Sequence, residues 1–290
     1  MTDFVPTESG TTIRMPSTAN LMIDSADRNS SVYPKPWDFQ ISKNSSILNG
    51  YFTRVATTEV VLEWCVPNIS SYQGNNQLLF DISGTGANTF NNVYNMILAD
   101  GFYTVADVVN EIVIRLNNTT PTTGVTANAR VIPTGVAVDI SNAYVIMNPT
   151  PLSSALGITE IDVNNEQDTI LFFGDCIDLR AYRYIDFVSA NLTYTQDLKD
   201  SSTSQIVRDV LCRWYFAEDA IENRDQYGYP IFMGYEPFTR RRIFNPPKQI
   251  RWDSNLPIGN LAFQVYDDEQ NLITTSSTTN WLMTLQVSEV

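Results

Sequence analysis

Two runs near the end of the chain alternate apolar and polar positions with a period of two. Leu261, Phe263 and Val265 share one face of the first, opposite Ala262, Gln264 and Tyr266. Trp281, Met283, Leu285 and Val287 share one face of the second, opposite Leu282, Thr284 and Gln286. That period marks strands buried on one side. Asp267-Asp268-Glu269-Gln270-Asn271 between them is turn chemistry, and Asn245-Pro246-Pro247 and Leu256-Pro257-Ile258-Gly259-Asn260 break the chain ahead of them. The same pattern opens the chain. A strand is expected around residues 20–23; Trp37, Phe39 and Ile41 then alternate with Asp38 and Gln40. A longer run over 53–66 sets Val60, Leu62 and Trp64 against Val61, Glu63 and Cys65, and stops at Pro67-Asn68. Residues 184–195 read as one long strand and 207–216 as another, joined by a polar loop over 196–205. Residues 218–239 read as a long irregular crossover. These segments predict an antiparallel β-sandwich.

The middle of the chain has a different pattern. Strands are expected over 77–82 and 93–98, with Gly84-Thr85-Gly86-Ala87-Asn88 between them. One helix follows over 104–116, where Val105, Val108, Val109, Ile112 and Leu116 form an apolar stripe. Thr104 can cap it, Asp107 can reach back three residues later, and Asn117-Asn118 ends it. Segments 127–132 and 136–140 resemble a hairpin, and 143–147 adds another apolar run. The acidic stretch 160–168 is expected to lead back to the main body. Residues 73–175 therefore read as a small α+β domain inserted into the sandwich, and 1–18, which lack periodicity, as an N-terminal arm.

Composition narrows the function. A formal charge of −14 and a pI near 4.3 repel nucleic acid, leaving only a local basic patch for it. With no histidine, Ser-His-Asp and Cys-His catalysis and most zinc sites are excluded. Carboxylate pairs remain for general acid–base work. The candidates Asp267, Asp268 and Glu269, or Glu160 and Asp162, fall in expected turns, where solvated acids are ordinary. We expect no enzyme, no cofactor and no metal site. Asp24-Ser25-Ala26-Asp27 could offer oxygens to calcium but lacks an EF-hand's glycine and distal glutamate, so a turn held by aspartate side chains is the better reading. The phosphate-loop reading of Gly84-Thr85-Gly86 fails for want of a following helix. Cys65, Cys176 and Cys212 are expected as buried free thiols. No apolar run reaches the length of a membrane span, and none at the start resembles a leader, so neither secretion nor membrane insertion is expected. Arg240, Arg241, Arg242, Lys248 and Arg251 form the basic cluster, and pairing with acids of the same chain or a neighbouring copy is favoured over contact with genome. Core packing is expected for most of Trp37, Trp64, Trp214, Trp252 and Trp281.

Two blocks carry a resemblance. One runs from Ile23-Asp24-Ser25-Ala26-Asp27-Arg28 through Pro34-Lys35-Pro36-Trp37-Asp38-Phe39 to Val60-Val61-Leu62-Glu63-Trp64 and Val66-Pro67-Asn68. The other runs from Asn245-Pro246-Pro247 and Trp252 through PIGNLAFQVYDDEQNLI to the closing WLMTLQVSE. In order and spacing they resemble single jelly-roll penton (vertex) capsid proteins of virophages and related giant-virus-associated DNA viruses. The resemblance implies a mainly β fold, with a jelly roll over 19–72 and 176–290 and the insertion projecting outward. It implies a structural role, with a homopentamer closing the vertex of an icosahedral virion assembled in the host cytoplasm. Neighbouring major and minor capsid proteins would be partners, as would a possible host receptor through the insertion. A carbohydrate- or receptor-binding jelly-roll module is the alternative, since a fold does not fix function.

Overall fold

The computed structural model describes residues 18–42, 47, 54–84, 91–119, 126–132, 135–164, 168–173, 178–193, 210–216, 222–224, 230–232, 237–251, 259–275 and 279–288. Its first strands are β1 (Thr18–Asp24), β2 (Asp38–Ser42) and β3 (Arg54–Trp64). The middle holds β4 (Gln77–Gly84), β5 (Asn91–Ile97), α1 (Val105–Thr119), β6 (Thr126–Ile132), β7 (Gly135–Ser141), β8 (Ala143–Asn148), α2 (Pro151–Ala155), β9 (Ile158–Asn164) and β10 (Asp168–Phe173). Then come β11 (Tyr184–Val188), α3 (Ala190–Thr193), β12 (Val210–Tyr215), β13 (Glu222–Arg224), β14 (Pro230–Phe232), β15 (Phe238–Ile243), β16 (Gln249–Arg251), β17 (Asn260–Tyr266) and β18 (Trp281–Ser288). The chain divides into two compact units. One comprises Met1–Cys65, Tyr184–Trp214 and Phe238–Val290; the other comprises Val66–Arg183 and Tyr215–Pro237. The expected insertion, 73–175, lies inside the longer segment of the second.

The first unit is a jelly roll. One sheet runs β1-β18-β3-β15, with β16 also on β3, and the other runs β12-β11-β17-β2. Counting only the eight main strands, each sheet interleaves early and late ones, which is the Greek-key wrapping of a single jelly roll. Trp281 sits at the centre of the core, with ring centroids 5.1 Å from Phe187, 5.4 Å from Phe39 and 5.9 Å from Phe263. Its indole N–H donates to the Pro36 carbonyl at 2.8 Å, and that of Trp37 to the Thr275 carbonyl at 2.8 Å. Both buried donors are therefore satisfied, as burial requires.

β3 does not alternate uniformly. Opposite β18 its register shifts between Thr284 and Leu285, which leaves Thr58 as an extra residue. Val55 and Thr57 are buried before this bulge, and Val60, Leu62 and Trp64 after it, so the inward parity changes from odd to even. β11 also differs from expectation. It ends at Val188, and residues 190–193 turn into the short α3. The Ala262 N–H, which the next rung of the ladder would use, is taken at 2.9 Å by the Asn191 side chain. A side-chain acceptor replaces the backbone one, and the single long strand expected over 184–195 is interrupted.

The second unit packs α1 on β6 and β7 of the sheet β6-β7-β10-β9, and it also holds the sheet β5-β4-β8 and the pair β13-β14. The expected stripe Val105, Val108, Val109, Ile112 and Leu116 is buried. Thr104 Oγ1 accepts from Asp107 N–H at 3.2 Å, while Asp107 Oδ2 accepts from Thr104 N–H at 2.9 Å. This is the reciprocal cap that the spacing predicts. Asn117 does not end the helix, which continues to Thr119. Its amide instead exchanges two bonds with Ala127 of β6, at 3.0 and 2.8 Å. The acidic stretch expected to lead out is a hairpin, β9 with β10. Ile161 and Val163 alternate there with Glu160 and Asp162, so the acids conceal a strand period. The crossover expected over 218–239 contains paired β13 and β14.

Candidate contact surface

Opposite ends of the two sheets, β15 and β12, meet along one flank of the sandwich. The Arg242 guanidinium lies 4.6 Å from the centroid of the Trp214 ring, and Lys248 Nζ donates to the Val210 carbonyl at 3.1 Å. Thr239, Arg240, Arg241 and Ile243 are exposed. In register, Arg240 and Arg242 stand opposite the buried Leu62 and Val60, on the core side of the sheet. At an end strand that side opens onto solvent, so a long cationic side chain can lay its stem along the apolar rim and keep its head wet. Arg242 closes the core over Trp214 in this way, and Arg240 lies 5.5 Å from the Phe238 ring centroid.

Arg241 points to the other face and forms a bidentate pair with Glu59, at 2.6 and 2.8 Å. The hydrogen bond from Arg241 holds the Glu59 carboxyl below its ordinary range, and the same bond raises the Arg241 guanidinium above its own. Arg251 is the last residue of β16 and stands opposite Arg54 in register. The side chain of Arg251 lies outside the described residues. The structure thus brings Arg240, Arg241, Arg242 and Lys248 to one flank, with Arg241 committed to an acid of the same chain. Sequence reading missed Glu59 as that partner. The signal was its place on the outward face of β3.

The other candidates resolve into structure. Asp24 caps a single helical turn over Ser25–Asp27 and accepts from Ala26 N–H at 2.8 Å. Arg28 donates to the carbonyls of Ser25, Tyr33 and Pro34 at 2.7, 3.1 and 3.2 Å, and to Asn280 Oδ1 at 3.4 Å. The aspartate–serine–alanine–aspartate–arginine opening therefore fastens the β1–β2 connection. Asp267 closes the turn after β17, accepting from Asn271 N–H at 2.7 Å, and burial pushes its carboxyl up. Glu160 and Asp162 lie on β9, with side chains outside the described residues. Trp37, Trp64, Trp214 and Trp281 are buried, while Trp252 is outside the described residues. Cys212 is buried and burial raises its thiol, Cys65 is half-buried rather than buried, and Cys176 is outside the described residues. Residues 1–17 and 85–90 are outside them too. No described helix is long and apolar enough to cross a membrane.

A partly buried pair that the sequence did not suggest lies on the second sheet. Asp186 accepts from Arg213 Nε and Nη2 at 2.7 and 2.9 Å, and that guanidinium stacks 3.9 Å from the Tyr184 ring centroid. Two fixed planes and a bidentate fork make it a rigid clamp between β11 and β12.

No protein-family profile and no curated protein matches this chain. Solved structures do. The mavirus penton protein is similar over 96% of this chain and 100% of its own, with a TM-score of 0.54 at 14% identity. A chain of the Sputnik virophage structure matches over 94% of this chain and 98% of its own, with a TM-score of 0.47 at 11% identity. At such identities the likeness is one of fold.

Proposed function

We propose that this chain is a penton protein, five copies of which close the vertex of an icosahedral capsid. The observation that carries the reading is the end-to-end likeness to the mavirus penton protein, which takes in both units rather than the jelly roll alone. The jelly roll forms the shell wall, the insertion over 73–175 projects outward, and neighbouring capsid proteins surround the ring. Assembly takes place in the host cytoplasm, and the projecting unit is the part available to a host receptor. The role is structural, without catalysis.

A ring of identical subunits needs two different complementary patches on each copy. The flank carrying Arg240, Arg242 and Lys248 is one, because a cationic strip on a chain of charge −14 suits an acidic surface of the next copy. Genome is the weaker partner for so acidic a chain.

Native mass spectrometry across a concentration series tests the reading. Pentamers that dissociate on dilution are expected, and Arg240→Glu should weaken them without lowering the melting temperature. A stable trimer, or a monomer at every concentration, would instead favour a binding module and end the penton reading.

A further inference from the structure

Strands at the ends of sheets present unpaired backbone groups, and proteins commonly block them with charge or proline. β15 carries three arginines, β12 carries Arg213, β6 carries Arg130, and β9 carries Glu160 and Asp162, whereas β8 (AYVIMN) carries neither charge nor proline. β5, an end strand of β5-β4-β8, reads NNVYNMI. It has no charge and no proline over seven residues. On its outer face Val93 is 68% exposed and Ile97 50%.

A cleft of about 190 Å³ opens on the other face of this strand. It is lined from the sheet by Phe80, Tyr94 and Met96, and from the helix by Ile112, Arg115 and Leu116. It exists because α1 packs on β6 and β7, leaving the helix and β5 apart. Phe80, Met96, Ile112 and Leu116 are buried and form its walls. An apolar cavity of about 150 Å³ accepts a benzene ring, so this one has the size of a single aromatic side chain. Arg115 is the one charged lining residue. It pairs with Glu111 at 3.5 Å, with both side chains well exposed. Such exposed pairs contribute at most about 0.5 kcal/mol on a helix.

We propose that β5 and this cleft receive an extended acidic peptide of a partner protein as an added strand. Its backbone pairs with the outer edge of β5. One large apolar side chain enters the cleft, and a carboxylate flanking it meets Arg115. Alternation places the next side chains against Val93 and Ile97 on the outer face. Backbone pairing supplies affinity and the pocket supplies selection, as in other strand-addition sites. This assignment goes beyond the capsid reading and does not depend on it.

The test uses the full chain and fluorescein-labelled peptides read by fluorescence anisotropy. The reference peptide is GDVFVDG. Saturable binding is expected, weakened at least tenfold when alanine replaces phenylalanine, and at least tenfold when alternate backbone nitrogens are methylated. Arg115→Glu, at an exposed position, should weaken binding similarly while leaving the melting temperature unchanged. If that variant melts early, the peptide series on the unaltered protein decides alone. Absence of saturable binding at millimolar peptide overturns the proposal. So does equal binding of the methylated peptide, or benzoate binding as tightly as the peptide, which would make the cleft a site for small aromatic acids.

Discussion

Asn68 donates its side-chain N–H to the Leu179 carbonyl at 3.1 Å, across 111 positions of sequence. The same amide donates to the Tyr103 carbonyl at 2.8 Å and accepts from the Tyr103 N–H at 2.8 Å. One buried residue thus joins the entry of the second unit, its helix approach and its exit. Asn68→Ala should destabilise that unit by about 3 kcal/mol, since it strands buried polar groups that each cost about 1–3 kcal/mol unpaired. Urea denaturation followed by tryptophan-independent circular dichroism measures the loss.

The closeness of entry and exit also makes the segment between them removable. Replacing residues 70–177 with a short Gly/Ser linker should leave a soluble sandwich with a cooperative melt. Loop closure itself adds little, about 0.6 kcal/mol for each doubling of loop length. An aggregated or molten product would mean that the sandwich, or the retained Tyr215–Pro237 of the second unit, draws core from the removed residues.

Arg28 holds three carbonyls and one amide oxygen with a single guanidinium. Arg28→Ala should lower the stability of the sandwich by roughly 2–3 kcal/mol, in the range of lost charge-assisted hydrogen bonds. Arg28→Lys should recover only part of it, because one ammonium cannot reproduce the planar fork. Thermal melts of the three proteins settle the order.

Asp267 is an acid whose carboxyl is pushed up by burial, so its sign is opposite to that of an ion-paired acid. Its folded value lies above its unfolded one. The protonated form is therefore favoured by folding, and that contribution is present below the unfolded value and lost as pH rises through the folded value. Asp267→Asn keeps an oxygen for Asn271 N–H and carries no charge. It should be at least as stable as the parent at pH 7, and should flatten the fall in stability above pH ~4. Equilibrium unfolding at pH 3, 5 and 7 checks both statements.

Much of the fold could be read from alternation. The strand faces of residues 261–265 and 281–287 and the capped stripe of α1 needed only local chemistry to declare themselves. What escaped was set by distant partners. The bulge at Thr58 depends on the register that β18 imposes, and the end of β11 depends on Asn191 reaching Ala262. The basic flank was visible as a run of arginines, yet which arginine had an acid beside it depended on Glu59, 182 positions away. The β5 cleft left no mark in sequence beyond an end strand without charge or proline, which has meaning only once the sheet order is known.

The pairing of β1 with β18 sets Thr18 opposite Ser288. A ribosome therefore delivers the first strand of the sandwich long before its neighbour exists. Until residue 288 emerges, β1 has no rung to occupy, and β3 lacks the partner that fixes its bulge. The strands and helix of the second unit meet few such delays, because α1 and β6 are adjacent in sequence and its hairpins are local. During synthesis the second unit can condense first while β1–β3 wait exposed, since domains emerging earlier fold as units and non-local pairings come late. The interval between those two events is when the sandwich half of this protein is most open to aggregation.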